Sequence, residues 1–149
     1  MMKILVFSRE EIETGVRITS AYVVISIRDP GKPRPKIKKQ AGLREVLYLA
    51  FNDAEPSVLL ELPPEMKIIT TAQADTICNF VHRHKADVGS IVVHCEQGMS
   101  RSPAVAAAIS DALGLDPKRF WQLYTPNEYV YHTVSDAFER GAATRRPGG

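Results

Sequence analysis

The chain has 149 residues, of which 44% are hydrophobic and 24% charged, and its formal net charge is +2. These values are typical of a soluble globular protein and exclude coiled coils, repeat arrays and extended disorder. The length fits a single domain, which we place at residues 1–141. Two cysteines are too few for a disulfide scaffold, and no apolar run approaches the ~20 residues of a membrane span, so we expect a cytoplasmic protein.

Strand and helix patterns alternate along the chain. Four short apolar runs predict strands at residues 3–7, 22–27, 46–51 and 90–94, and their near-continuous hydrophobicity is typical of parallel strands covered on both faces. Capping residues, prolines and glycines predict helices after Ser8, over 71–84, from Pro103 to Gly114, after Asp116, and from a capping box at 125–128 to about Gly141. The order β-α-β-β-α-β-α-α-α predicts an α/β fold, with a mainly parallel central sheet of four to five strands flanked by helices.

Two segments lie outside this pattern. Residues 30–44 contain three prolines and six basic residues but no acid, and we expect them to form an exposed loop. Such a loop is either simply solvated or recruits an anionic substrate or partner. Residues 142–149 lack apolar periodicity, and we expect them to form a disordered tail.

The chemistry of the chain is concentrated in the segment His94-Cys95-Glu96-Gln97-Gly98-Met99-Ser100-Arg101-Ser102, between a predicted strand and a predicted helix. A loop in this position points backbone N–H groups inward and adds the positive end of the helix, which together form an anion site. Gly98 allows a tight turn, and Arg101 can offer two parallel donors to a phosphate group. The segment therefore predicts a phosphate-sized cradle.

Cys95 lies at the base of this cradle. Such surroundings lower a thiol pKa from about 8.5 to between roughly 3.5 and 7.5, so we expect a thiolate at neutral pH. A thiolate among oxyanion donors is suited to attack phosphorus in line without a metal or cofactor. Ser102, and as an alternative Ser100, is placed to hydrogen-bond the sulfur, and His94 is expected to shape the loop. By contrast, Cys78 lies on the apolar face of a helix and is expected to be a packed core thiol.

The motif His94-Cys95-x5-Arg101-Ser102 after an apolar strand resembles the phosphate-binding loop of the protein tyrosine phosphatases, and the small dual-specificity branch is most similar in length. The resemblance extends over about residues 25–138. It implies that Cys95 is the nucleophile and that Arg101 binds phosphate together with the loop residues Glu96, Gln97, Gly98, Met99 and Ser100. It also implies a phosphocysteine intermediate in the hydrolysis of phosphate monoesters.

The resemblance further implies an aspartate general acid upstream of the cysteine, for which the candidates are Asp29, Asp53 and Asp75. Asp75 is explained as a partner of a helix dipole, and Asp29 is expected to be solvated because it precedes the basic loop. Asp53 is preferred, because it follows the third strand at the sheet edge that also carries Cys95. Its separation from Cys95 is longer than usual, which we attribute to an inserted stretch over residues 55–67.

Several alternatives remain open from the sequence. A rhodanese-like sulfurtransferase or an arsenate reductase uses a related loop, a pseudophosphatase would bind phosphorylated partners without catalysis, and an RNA 5′-phosphatase would account for the basic loop. A phosphorylated protein, above all one with phosphotyrosine, or a small phosphate ester is the favoured partner. Nucleic acid is not favoured and no membrane partner is expected. Glu96 would repel additional phosphates if it faced the pocket, which disfavours inositol lipids.

Overall fold

The computed structural model describes residues 1–56 and 62–145 of the chain. It contains nine elements in these residues, in the predicted order: β1 (Lys3–Ser8), α1 (Arg9–Thr14), β2 (Tyr22–Arg28), β3 (Leu43–Ala50), α2 (Thr71–His84), β4 (Ser90–Cys95), α3 (Arg101–Ala112), α4 (Lys118–Leu123) and α5 (Glu128–Arg145). The prediction of an α/β fold with a parallel central sheet is thereby confirmed.

The four strands form one sheet in the order β1-β4-β2-β3, and every neighbouring pair is parallel. β4 lies between β1 and β2, so its cysteine end is at the centre of the sheet edge. The carboxyl ends of all four strands meet at this edge, which is where parallel α/β sheets bind their ligands. The topology therefore brings the loops after β2, β3 and β4 together.

The two faces of the sheet are covered differently. Alternate residues of β2, such as Val23 and Ile25, point into the larger apolar core, which includes buried residues of α2, α3 and α5. The other face buries Tyr22 and Val24 in a smaller cluster with Ile12 of α1. This period of two is the expected pattern for strands covered on both sides.

The connection from β2 to β3 is irregular, although parallel strands are usually joined through a helix. Pro35 is buried within it, and Ile37 packs against the smaller apolar cluster. The predicted basic loop over 30–44 is corrected at its end, because β3 already begins at Leu43. The predicted start of β3 at residue 46 was late because Arg44 and Glu45, near the start of this edge strand, are polar and exposed.

The last helix also differs from the prediction. Asn127 caps α5, because its Oδ1 accepts a hydrogen bond from the Val130 N–H at 3.0 Å, so the predicted capping box at Thr125 is wrong. The helix continues to Arg145 instead of ending near Gly141, and the predicted disordered tail is wrong for residues 142–145. Residues 146–149 lie outside the described part of the chain. No helix in the described part is long and apolar enough to cross a membrane.

Candidate active site

The loop from Cys95 to Ser100 is fixed by hydrogen bonds to its carbonyl groups. The Glu96 carbonyl accepts from the Arg9 N–H at 3.1 Å, the Met99 carbonyl from the Thr125 N–H at 3.1 Å, and the Ser100 carbonyl from the Asn127 N–H at 3.1 Å. These donors come from the start of α1 and from the α4–α5 connection. With its carbonyl groups held on the outside, the loop leaves its N–H groups for an anion.

Gly98 is required at its position for two reasons. Its φ is +73°, in the left-handed region that residues with a side chain rarely adopt. A Cβ atom there would also lie 2.8 Å from the Ser8 backbone nitrogen and 2.9 Å from the Phe7 carbonyl carbon. The loop is thus packed against the carboxyl end of β1, and any side chain at this residue would push it away.

The Cys95 sulfur faces two hydrogen-bonding groups. The Gly98 N–H donates to Sγ at 3.3 Å, and the Ser102 Oγ lies 3.1 Å from the same sulfur. The predicted contact of Ser102 with the sulfur is present. The alternative of Ser100 at the sulfur is wrong, because the Ser100 hydroxyl donates to Asp53 instead. Both donors to Sγ stabilise negative charge on sulfur.

His94 is buried and contacts the backbone at the start of the loop. Its Nδ1 lies 3.4 Å from the Cys95 carbonyl oxygen, which can only accept, so Nδ1 carries the proton. The Ser26 hydroxyl then donates to Nε2 at 2.6 Å. Burial lowers the pKa of His94 from 6.5 to about 4, so the ring is neutral at neutral pH. His94 is placed as the predicted supporting residue and is unsuited to act as a base.

The Arg101 guanidinium is held in place by two hydrogen bonds from one of its terminal nitrogens. Its Nη1 donates to the Asp29 Oδ1 and to the Phe51 carbonyl oxygen, each at 2.7 Å. The side chain is 6% exposed, so the direction of the guanidinium is fixed by these two acceptors. Nε and Nη2 donate to no group in residues 1–56 and 62–145, so they are a parallel pair of donors that suits a phosphate group.

The sequence-based interpretation of Asp29 as a solvated residue is wrong. Its side chain is 31% exposed and forms ion pairs with Arg101 at 2.7 Å and with Lys32 at 3.3 Å. Burial raises the pKa of this carboxyl, but the Arg101 guanidinium and the Lys32 ammonium outweigh burial and lower the pKa below its usual 3.8. Asp29 is therefore an ionised partner of Arg101, a pairing that the sequence analysis did not anticipate.

Asp53 lies over the loop at the other side of the cleft. Its Oδ1 accepts hydrogen bonds from the Ser100 hydroxyl at 2.8 Å and from the Asn127 Nδ2 at 2.9 Å. The same Asn127 caps α5, so one residue connects the helix start with the aspartate. Asp53 thus borders the cleft that contains Cys95, as expected from the end of β3. Asp75 is elsewhere, in an ion pair with Arg140.

The predicted insertion over residues 55–67, between Asp53 and Cys95, has its two ends held together by hydrogen bonds. The Asn52 N–H donates to the Lys67 carbonyl at 2.6 Å, and the Lys67 N–H donates to the Asn52 Oδ1 at 2.8 Å. Residues 57–61 of the predicted insertion lie outside the described part of the chain. Because Asn52 and Lys67 are joined, the extra length does not move Asp53 away from the cleft.

These groups line a cleft of about 330 Å³. At its mouth the Glu96 carboxylate lies 3.3 Å from Arg9 Nη1 and 3.8 Å from Lys32 Nζ, so its charge is compensated. Met66 and Met99 are also part of the lining, and Gln97 is exposed at the rim. A larger cavity of about 410 Å³ lies among α2, α3 and α5, but none of the residues just described lines it. The cysteine and arginine of the motif therefore face the smaller cleft.

Comparison with known proteins adds to this geometry. No protein-family model matches the sequence, and no curated protein matches it. Solved structures do match. Human DUSP28 is 15% identical with a TM-score of 0.53 over 95% of this chain and 94% of its own. PTPMT1, solved in complex with PI(5)P, is 15% identical with a TM-score of 0.52 over 85% and 81%. A mouse putative dual specificity phosphatase, solved with zinc tungstate, is 19% identical with a TM-score of 0.50 over 83% and 74%.

The chain has the fold of the small dual-specificity phosphatases. The resemblance seen in the loop motif therefore extends to the architecture, and the predicted fold class is confirmed by structures that share few residues with this chain. At these identities the likeness establishes the fold, while the chemistry depends on the residues of the cleft itself.

Proposed function

We propose that the protein is a cysteine-dependent phosphatase that hydrolyses phosphate monoesters through a phosphocysteine intermediate. The observation that carries the proposal is the set of contacts at one cleft: two hydrogen-bonding groups contact the Cys95 sulfur, and Arg101 is held through Nη1 alone among the described residues. A sulfur nucleophile beside an oriented guanidinium is what in-line attack on a phosphate dianion requires. The fold is in agreement with this activity.

In the first step the Cys95 thiolate attacks phosphorus, so that an S–P bond forms while the bond to the ester oxygen breaks. The Arg101 guanidinium and the loop N–H groups hold the three non-bridging oxygens. Asp53 acts as general acid and gives its proton to the leaving oxygen. Asp29 is a positioning residue in this step, because it fixes the direction of the arginine.

In the second step water attacks the phosphocysteine. Asp53, now a carboxylate, takes a proton from that water, an O–P bond forms and the S–P bond breaks. The electron pair returns to sulfur as thiolate, where the Ser102 hydroxyl and the Gly98 N–H stabilise it. Inorganic phosphate leaves, and the enzyme returns to its starting state with no redox change.

We propose phosphotyrosine, or another phosphorylated residue of a protein, as the substrate. Met66 and Met99 at the cleft would contact an aryl ring, since thioether sulfur packs well against aromatic edges. Lys32 at the same cleft is already paired with Asp29 and Glu96, and Arg9 is paired with Glu96, so these cations are less available to a second phosphate close to the first.

The test is hydrolysis of an aryl phosphate by the purified protein in the presence of a chelator. We expect turnover that vanadate inhibits, and a loss of more than about 10³-fold in kcat for Cys95→Ser, because the nucleophile is removed. Cys78→Ala is the matched control: Cys78 is a buried thiol of α2 and does not line the cleft, so activity should be retained. Full activity of Cys95→Ser would overturn the proposal, and inactivity of the native protein would favour a pseudophosphatase.

A further inference from the structure

Positive charge is concentrated in the crossover between β2 and β3. Residues 30–44 contribute six positive charges and no negative charge to a chain whose net charge is +2, so all other residues together carry a net charge of −4. The six side chains, all exposed, are Lys32, Arg34, Lys36, Lys38, Lys39 and Arg44. We refer to them as the cationic stripe. The positive charge of a protein of low net charge is thus concentrated in one exposed segment.

The backbone under the cationic stripe is anchored along its length. The Pro33 carbonyl accepts from Arg9 Nη2 at 2.9 Å, and the Lys36 N–H donates to the Glu13 carboxylate at 2.9 Å. Further along, the Gln40 side-chain oxygen accepts from the Ile18 N–H at 3.1 Å. Pro35 is buried. The cations are therefore presented from a fixed path, which lowers the entropic cost of binding an extended partner.

The stripe begins at the cleft and leads away from it. Lys32 lines the cleft and contacts Asp29 and Glu96. The segment then runs back to the opposite sheet edge, where the Gly42 carbonyl accepts from the first residue of β2, Tyr22. Because β2 has seven residues, the two ends of the segment are about 20 Å apart. An extended peptide covers that distance with about six residues.

Three lysines of the stripe, Lys36, Lys38 and Lys39, form no ion pair with any residue in the described ranges. The contact of Glu13 is to the Lys36 backbone and leaves its ammonium group uncompensated. Exposed cations without internal partners are available to carboxylates of a bound chain. None of these three lysines lines the cleft, so the substrate carboxylates that they bind are at a distance from the phosphorylated residue.

The chemistry of the stripe favours an acidic peptide over RNA or a membrane. Single-stranded RNA is usually bound with aromatic rings that stack on bases. The aromatic ring at the stripe, that of Tyr48, is covered by the Arg34 guanidinium at 4.3 Å. Membrane-surface binding adds apolar side chains to the charge, whereas Pro35 and Ile37 are turned into the protein.

We propose that the cationic stripe docks an acidic segment of the phosphorylated substrate, with carboxylates about three to seven residues from the phosphorylated residue on one side. This inference rests on the proposed phosphatase function and specifies its substrate class. It assigns the crossover a role in recognition, in place of the helix that usually joins parallel strands.

The test uses phosphotyrosine peptides with three aspartates at these distances, on the amino-terminal or the carboxy-terminal side, and matched peptides with asparagines. For aspartates on one of the two sides, we expect kcat/KM to be at least about fivefold higher than for the matched asparagine peptide. The expected gain is modest because each exposed ion pair contributes little free energy. The variant Lys36→Gln, Lys38→Gln, Lys39→Gln should lose this preference through KM. The matched control Lys3→Gln, Lys85→Gln, Lys118→Gln removes the same charge from exposed positions elsewhere and should keep it.

Hydrolysis of a small aryl phosphate should be equal in all three proteins, which separates docking from catalysis. Binding of the same peptides to Cys95→Ser protein, measured by fluorescence anisotropy, tests docking even if the native protein proves inactive. The proposal is overturned if kcat/KM is equal for the aspartate and asparagine peptides. It is also overturned if the control variant loses the preference for the aspartate peptide as fully as the variant of Lys36, Lys38 and Lys39. Tighter binding of 5′-phosphorylated RNA or of anionic lipid vesicles through the same three lysines would also overturn it.

Discussion

Asp29 and Asp53 follow neighbouring parallel strands and border the same cleft, but their partners are of different kinds. The carboxylate of Asp29 contacts two cations, Arg101 and Lys32. The carboxylate of Asp53 contacts the neutral hydroxyl of Ser100 and the neutral amide of Asn127. A carboxylate between cations keeps its negative charge, whereas one held by neutral donors can change its protonation state without breaking an ion pair.

The difference assigns complementary tasks to the two loops. In the mechanism that we propose, the loop after β2 supplies the negative charge of Asp29, which orients the Arg101 guanidinium. The loop after β3 supplies the Asp53 carboxyl for proton transfer, and hydrogen bonds from Ser100 and Asn127 fix its position. Substitutions of Asp29 and Asp53 test whether orientation of the guanidinium and proton transfer are separate tasks of these two residues.

Of the two aspartates, Asp53 is expected to give the larger effect when it is replaced by asparagine. The amide keeps the size of the side chain but cannot donate a proton to the leaving group, so kcat should fall by about 10²- to 10³-fold for an alkyl phosphate. An aryl phosphate with a good leaving group should be affected much less. The measurement is kcat across a series of leaving groups, and the dependence on the leaving group should become steeper. A uniform loss across the series would indicate that Asp53 only maintains structure.

A smaller and different effect is expected for Asp29→Asn. Loss of the charged partner weakens the orientation of Arg101, and a hydrogen bond to a charged group contributes about 1.5–3 kcal/mol, so kcat/KM should fall by about ten- to a hundredfold. The loss should be the same for all leaving groups, and vanadate inhibition should weaken in parallel. Asp29→Glu, which restores the charge, is the control. A loss confined to poor leaving groups would reverse the assignment of the two aspartates.

Much of the fold was predictable because its signals are local. Ser8 with Glu11 and Thr70 with Gln73 form the capping boxes predicted at the starts of α1 and α2. The apolar runs of the strands are equally local. The errors occurred where local signals are weak: at the polar start of β3, and at Gly141, where a glycine inside α5 is tolerated because it costs only about 1 kcal/mol.

The site was predictable to the extent that it lies in one segment. Cys95, Gly98 and Arg101 are within seven residues, and the edge of a parallel sheet accounts for the position of Asp53. Their catalytic roles remain predictions. The role of Asp29 was not visible in the sequence, because its ion pair with Arg101 joins two residues that are 72 positions apart. Only the fold brings the two together.

Ser100→Ala tests how Asp53 is held. The hydroxyl donates to Asp53 at 2.8 Å and is not bonded to the sulfur, so its loss removes one neutral hydrogen bond. Such a bond contributes about 0.5–1.5 kcal/mol, which corresponds to a decrease of about two- to tenfold in kcat. The decrease should be larger for poor leaving groups, as for Asp53→Asn, and KM should not change. Ser100→Thr, which keeps a hydroxyl, should recover most of the activity, and failure to do so would argue against this positioning role.

The smallest effect concerns stability in acid. Because the Arg101 and Lys32 charges lower the pKa of Asp29 below 3.8, the unfolded chain binds this proton more readily than the folded protein as the pH falls. The ionised Asp29 therefore contributes stability above about pH 4 and loses it as the pH falls through the lowered pKa. The carboxyl is partly exposed, so the contribution should be less than about 1 kcal/mol. Urea unfolding of native and Asp29→Asn protein measures it: the difference should be constant from pH 7 to about pH 5 and should shrink below about pH 4. If the difference stayed constant to pH 3, the ion pair would have no part in stability, and Asp29 would act only through the direction of Arg101.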